Sequence, residues 1–539
     1  MHASHSRRAL LALACAAVTA LAPFAAAAPA AAHAVRPASG VSAGPIVTIH
    51  GGAVRGMAVT GGYAFRGLPY AAAPTGNLRW RPPQPPAAWS GIRDATQYAP
   101  SCPQKPSLFE PPGPQSEDCL YLNVSTPTLR RHAKRPVLVW IHGGGFTEDG
   151  ALNYDATKLA ADGIVVVTIN YRLGALGFLA HPALASRPGG PAGNYGLMDQ
   201  QAALRWAQDN VARFGGDPDN VTIAGQSAGG LSVLAQLVSP GSRGLFQGAI
   251  VESGAFALNQ VPLADAEAFG QTFADGVNCQ DQTAACLRRV PVGTLVDAFP
   301  GAAIPGVVDG KVLTESIGAA LAAGHFARVP FLNGINHNEE LIFVAGPHLA
   351  VSGGIFVPAP EPTPATYESV IASVLGVSAS RASAIAAEYP LSAYPAPVVA
   401  LSTLVSDANF ACPALQVDRW MSTRVPTFAY EFDDDTAPQL FAGPPPNFPP
   451  VATHSSEIQY LFDQPNAPFA TALNADQEAL AASMRTAWTN FAAVGNPSAV
   501  AVPWPSFNTR SDVLSLLQPQ PQLEPNFAAV HHCAFWGAG

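Results

Sequence analysis

Charge is scarce in this chain. Asp, Glu, Lys and Arg make up 12% of its 539 residues, with 28 basic against 37 acidic side chains and a formal net charge of −9. No Lys/Arg cluster or basic stripe relieves that deficit, which argues against a nucleic-acid partner. The sequence also lacks any Cys-x-x-Cys pair, so zinc-ribbon and thiol-redox readings have no support. No internal repeat is present, and a hydrophobic content of 48% excludes intrinsic disorder. Length alone would allow more than one domain, but a large α/β enzyme can hold a single extended sheet at this size.

The N-terminus reads as a processing segment. Arg7 and Arg8 supply positive charge, Ala9 to Phe24 is an apolar run, and Ala32-His33-Ala34 fits a small-x-small cleavage site. No stop-transfer flank follows, so residues 1–34 are expected to be a cleaved signal peptide and 35–539 a single secreted domain with no membrane span. Ser6-Arg7-Arg8 only loosely resembles a twin-arginine signal. Discarding Cys15 leaves Cys102, Cys119, Cys279, Cys286, Cys412 and Cys533. An even number in an exported chain implies three disulfides, although six cysteines allow 15 pairings on sequence alone.

Asn220 to Gly230 organises the rest. Val221, Thr222 and Ile223 suit a short buried strand, and Leu231, Val233, Leu234 and Leu237 recur with helical period. Between them Gly225-Gln226-Ser227-Ala228-Gly229 forms a G-x-S-x-G turn, which thrusts a serine Oγ out of a strand-to-helix corner. Backbone must approach closely on both sides there, so glycine belongs at 225 and 229. Ser227 and the Ala228 N–H then stand at a helix N-terminus, where negative charge is favoured.

Other segments predict the frame. Val47 to Gly56 reads as a hairpin, with Gly61-Gly62 as the next turn, and Pro69 to Trp89 as a long surface connection. Leu120–Val124, Val137–Ile141, Ile164–Ile169, Gly248–Val251, Pro330–Asn333 and Thr427–Phe432 read as strands. Asn153–Ala161 is compatible with a helix, and Asp199–Phe214 reads as an amphipathic helix with Leu204, Trp206 and Val211 inward. Apolar strands alternating with helices imply an α/β fold with a mostly parallel sheet covered on both faces. Regions 343–366, 389–398 and 436–450 read as irregular excursions. Asp433-Asp434-Asp435 reads as a solvated strand end rather than a calcium site, and His531-His532 as surface polarity rather than a metal pair. Asn123-Val-Ser125 and Asn220-Val-Thr222 match the glycosylation triplet but fall at or in predicted strands.

A serine alcohol needs a base, the base needs an orienting group, and a tetrahedral oxyanion needs N–H donors. His142-Gly143-Gly144-Gly145-Phe146 directly follows a buried strand, and its glycines leave backbone N–H groups uncovered, as an oxyanion hole requires. Together with Phe65-Arg-Gly-Leu-Pro-Tyr70, Leu78-Arg-Trp80, Glu117-Asp-Cys-Leu-Tyr-Leu-Asn-Val124, Asn170-Tyr-Arg-Leu-Gly174, Asn194-Tyr-Gly-Leu-Met-Asp-Gln200 and Phe214 to Gly230, these residues resemble the type-B carboxylesterases, the cholinesterase/lipase group of the α/β-hydrolase superfamily. The resemblance covers nearly all of the mature chain.

It implies Ser227 as nucleophile and Gly144, Gly145 and Ala228 as oxyanion donors. His454 in His454-Ser-Ser-Glu-Ile-Gln-Tyr-Leu-Phe462 corresponds to the base, and Glu339 in Gly334-Ile-Asn-His-Asn-Glu339 to the acid. Glu340, next to it, is expected to face solvent. The resemblance supports disulfides Cys102–Cys119 and Cys279–Cys286, and Cys412–Cys533 is expected to tie down the C-terminus. Two departures bear on substrate. Gln226 stands where many members carry glutamate, and the Cys102–Cys119 segment has no tryptophan to stack a quaternary ammonium. The expectation is a secreted serine esterase for small uncharged esters, with no metal or cofactor. Its rivals are a lipase for long acyl chains and a non-catalytic binding protein.

Overall fold

The computed structural model describes residues 44–538, apart from 108–109, 186–191, 301–305, 353–354, 440–450, 470, 499–502, 509–512 and 518–519. The signal-peptide reading, with Arg7, Arg8, Cys15 and Ala34, lies outside the described residues.

The frame is one mixed sheet of 11 strands. In chain order these are β1 (Met57–Val59), β2 (Gly62–Pro69), β3 (Tyr121–Thr126), β4 (Arg135–Ile141), β5 (Val165–Ile169), β6 (Gly216–Gln226), β7 (Gly248–Glu252), β8 (Phe331–Asn336), β9 (Thr427–Phe432), β10 (Val513–Leu516) and β11 (Gln522–Glu524). Across the sheet they run β11-β10-β9-β8-β7-β6-β4-β5-β3-β2-β1. From β5 to β10 every neighbouring pair is parallel, and the edges beyond are antiparallel. The order turns back between β6, β4 and β5, and crevices at the carboxyl ends of strands beside such a reversal are where α/β sheets hold ligands.

Strand periodicity explains the layering. Val137, Val139 and Ile141 of β4 point into one core, while Leu138 and Trp140 point into the other. Val165, Val167 and Ile169 of β5 share the first core, and Val166 the second. Helix Tyr195–Asn210 begins earlier than the sequence suggests, and Val211–Phe214 tightens into a 3-10 turn. Leu204, Trp206 and Val211 are buried as expected, but so are Gln200 and Gln201, which hydrogen-bond to Ser232 and to Gln236 and Ser239. The helix is amphipathic as expected, with Arg205 and Asp209 exposed on one face, and its buried face is wider than its apolar residues alone indicate.

Two of the motif pairs are ion pairs that brace the frame. Arg172 grips Asp199 through Nε and Nη2, both at 2.7 Å, and Arg79 grips Glu117 at 2.7 and 2.6 Å. Trp80, expected on a surface connection, is fully buried and donates its Nε1–H to the Ala175 carbonyl at 2.7 Å. The three disulfides are Cys102–Cys119, Cys279–Cys286 and Cys412–Cys533.

The excursions carry more structure than their composition implies. Leu349–Ser352 and Ile355–Pro358 pair as a hairpin, and helices Tyr367–Leu375, Ala379–Glu388 and Pro397–Ser406 build a separate apolar cluster around Ile371, Ile385 and Leu401. A π-turn at Asp407–Ala411 leads from the last of these into helix Cys412–Ser422. Residues 440–450 of the third excursion lie outside the described residues. Asp434 departs from the solvated reading: it is buried and accepts hydrogen bonds from Tyr460 Oη and Thr436.

Candidate active site

β6 ends at Gln226, and helix Ala228–Val238 begins two residues later, leaving Ser227 alone on the corner. Its backbone adopts φ 55° and ψ −122°, a conformation rare for a side-chain-bearing residue and held here by context. Ser227 N–H donates to Glu252 O on β7 at 2.8 Å, and its carbonyl accepts from Leu231 at 2.9 Å. A Cβ on Gly229 would lie 2.0 Å from the Ile141 carbonyl, and one on Gly225 2.6 Å from the backbone of Gly229. Both glycines are required by close approach, as the sequence reading expects.

Ile141 pairs with Gly225, so the loop leaving β4 runs directly beside the corner. A Cβ on Gly143 would stand 3.2 Å from that of Ser227. Gly144 and Gly145 follow with φ of 80° and 56°, which glycine tolerates without penalty. Ala228 opens the helix, where a backbone N–H has no intrahelical acceptor. His142 supports this loop from behind. Its ring stacks on Tyr171 at 4.5 Å and burial pushes its pKa down to about 3, so it is a neutral packing element.

Glu339 lies in the loop after β8, and Glu252 pairs with both Gln226 and Gly334, so the three strand ends adjoin. The Glu339 main-chain carbonyl accepts from His454 N at 3.2 Å, while its Oε2 meets His454 Nδ1 at 2.5 Å and its Oε1 accepts from Asn336 N at 2.8 Å. Glu339 is fully buried and His454 only 5% exposed. With Nδ1–H given to Glu339, Nε2 presents the ring's remaining lone pair. That nitrogen lies 3.2 Å from the Gln226 amide nitrogen, which also donates to Ser455 Oγ at 3.0 Å. Phe343 and Phe410 pack near the ring at 5.2 and 5.5 Å.

Ser227, His454, Gly144, Gly145 and Gln226 line one cleft of about 430 Å³. Glu148 forms part of its wall and borders a second hollow of about 660 Å³, walled by Pro103, Leu173, Val296 and Phe299. Burial raises the Glu148 carboxyl, which favours its neutral form. Behind the acid, Asn336 Nδ2 donates to Glu457 at 2.7 Å, and burial followed by the Glu339 charge pushes Glu457 up to about 7.

Sequence reasoning singled out Ser227, Glu339, His454 and the two loop glycines, and all stand at this cleft or in contact with a residue that does. It missed the contact of Gln226 with the imidazole, and it missed Phe343, Phe410, Glu148 and Glu457, which no local motif distinguishes. It also misplaced Glu340, which is fully buried rather than turned to solvent.

Comparison with known proteins gives this geometry a family. The model of the carboxylesterase family matches residues 43–536. A human protein named cocaine esterase is 34% identical over 529 residues, covering 92% of this chain and 91% of that one. The para-nitrobenzyl esterase of Bacillus subtilis is 33% identical over 504 residues, covering 89% and 96%. A solved structure of a PNB esterase superposes with a TM-score of 0.75 at 31% identity, covering 90% of this chain and 98% of that one. The extent of these matches, over an α/β-hydrolase sheet whose serine corner and glycine loop adjoin, makes this chain a member of the carboxylesterase family and a carboxylic ester hydrolase.

Proposed function

We propose that this protein is a secreted serine esterase that cleaves small uncharged carboxylic esters through an acyl-enzyme. The observation that carries the reading is the convergence of Ser227 with the Glu339–His454 pair at adjoining ends of parallel strands. His454 Nε2 takes the Ser227 proton as Oγ attacks the ester carbonyl carbon. Glu339 keeps the Nδ1–H tautomer and stabilises the imidazolium that forms. The oxyanion is received by the N–H groups of Gly144, Gly145 and Ala228. Collapse expels the alcohol, which takes the proton from His454, and water then repeats the sequence on the acyl-serine.

Preference for uncharged esters is supported by the wall. Gln226 places a neutral amide beside the imidazole. The hollow beyond Glu148 leaves room for a bulky acyl or alcohol group. A relative named for para-nitrobenzyl esters fits an uncharged substrate of that kind. Export is supported by three disulfides, which persist in oxidising compartments. A fluorophosphonate should label Ser227, and Ser227→Ala should lose the label and roughly three or more orders of magnitude in rate on p-nitrophenyl esters. Undiminished turnover in that variant would overturn the mechanism.

A further inference from the structure

We propose that His337, Glu431 and His531 form a zinc site that pins the C-terminal segment to the sheet. Nδ1 of His337, a carboxylate oxygen of Glu431 and Nε2 of His531 all lie within 4.8 Å of one another. They come from three separate parts of the chain: the loop after β8, strand β9 and the turn before Cys533. Folding alone brings them together, and the pairing differs from the sequence reading. His531 faces away from His532 and into the protein, with its side chain 2% exposed. His532 pairs instead with Glu388 at 2.6 Å.

The donor set selects the metal. Two imidazoles and one carboxylate suit zinc, whereas calcium and magnesium take oxygen ligands. The surroundings orient the ligands as metal sites require. Asp407 accepts from His531 Nδ1 at 2.6 Å, which directs Nε2 toward Glu431 Oε1, 2.8 Å away. Asp407 is itself fixed by the Tyr389 hydroxyl at 2.8 Å, and Tyr389 by Trp536 Nε1 at 2.7 Å. The π-turn Asp407–Ala411 aims that carboxylate, and such turns are frequent at functional sites. His337 Nδ1 lies 2.5 Å from Glu431 Oε1, and the protein supplies these three donors, which leaves the fourth position of a tetrahedral ion to water.

The competitor is the proton. At present hydrogen bonds join the imidazoles to Glu431, and ligands around a tetrahedral zinc with ~2.0 Å bonds sit ~3.3 Å apart. Uptake therefore needs the His337 ring to draw back by roughly 0.8 Å and the Glu431 carboxylate to turn about 0.5 Å away from His531, whose ring stays held by Asp407. The His337 side chain is 30% exposed, so it provides both the room and the entry path.

The test uses the full mature chain, stripped with EDTA and exchanged at several pH values from about 7 to 9, because zinc must displace the protons that the carboxylates hold on both rings and uptake should strengthen as pH rises. Zn²⁺ is titrated against a chromophoric chelator, and thermal unfolding is followed in parallel. The expected result is one equivalent bound per chain and a higher melting temperature with metal. His337→Gln, which alters the exposed member and should fold, weakens Zn²⁺ binding by about tenfold or more, since losing even an outer-shell partner costs that much. His532→Gln leaves binding unchanged. No uptake by the wild type, or equal uptake by His337→Gln, overturns the proposal.

Discussion

Glu339 and Glu340 are both fully buried, and contact alone separates them. Glu339 reaches His454 Nδ1 at 2.5 Å, while Glu340 N–H is bound by Ser406 Oγ at 3.0 Å on a different wall. Glu339→Gln should therefore lower kcat by roughly two to four orders of magnitude, because an amide in that place no longer fixes the tautomer or balances the imidazolium. Glu340→Gln should spare kcat and show its effect in the melting temperature. The reverse outcome would mean that the orienting acid is Glu340. Gln226 makes a second residue-scale test. It places a neutral donor 3.2 Å from Nε2 where many relatives by resemblance carry a carboxylate. Gln226→Glu should raise kcat/KM for an acylcholine relative to its neutral isostere several-fold, since a buried carboxylate attracts a cation strongly. An unchanged ratio would show that the discrimination lies elsewhere in the cleft.

At the scale of elements, legibility followed locality. Strands β4, β5 and β6 could be read because a buried parallel strand is a short unbroken apolar run, and the serine corner because its glycines sit at fixed spacing around it. Helix Ala379–Glu388 escaped notice because Ile385 is its one large apolar residue, and its buried face is otherwise marked only by small alanines. Hairpin Leu349–Ser352/Ile355–Pro358 was hidden within a Pro- and Gly-rich stretch. His454 stands 227 residues beyond Ser227, among 13 histidines, and only resemblance picked it out. The corner gives the element-scale prediction. Gly229→Ala drives a Cβ to 2.0 Å from the Ile141 carbonyl, a backbone atom of a central strand that cannot move aside. It should cost about 1–3 kcal/mol or more, as overpacking does, and displace Ser227 as well. Gly293→Ala, near the start of helix Val292–Ala298 with open space around it, should be neutral or stabilising by up to about 1 kcal/mol. Urea unfolding of both variants checks the contrast, and equal destabilisation would remove the steric account.

At the scale of the whole molecule, the C-terminus closes the structure from a distance. Cys533 bonds to Cys412 across a sequence separation of 121, whereas Cys279 and Cys286 are only 7 apart. Cross-linking restricts the unfolded chain more as the enclosed loop lengthens, so loop closure predicts about 5 kcal/mol for the long bridge and about 2–3 kcal/mol for the short one. The long bridge also borders the His531–Asp407–Glu431 network, so releasing it would loosen a segment whose polar groups are buried. Both effects act in one direction. A Cys412→Ser/Cys533→Ser double variant should lose about twice the stability lost by Cys279→Ser/Cys286→Ser, as read from unfolding free energies extrapolated to water with each variant's own m-value. A larger m-value in the first variant would show the unfolded chain expanding, as the entropic account requires. If the short bridge proves the costlier to remove, strain and packing at helix Ala284–Arg289 outweigh loop length, and the C-terminus is held by its buried hydrogen bonds rather than by its disulfide.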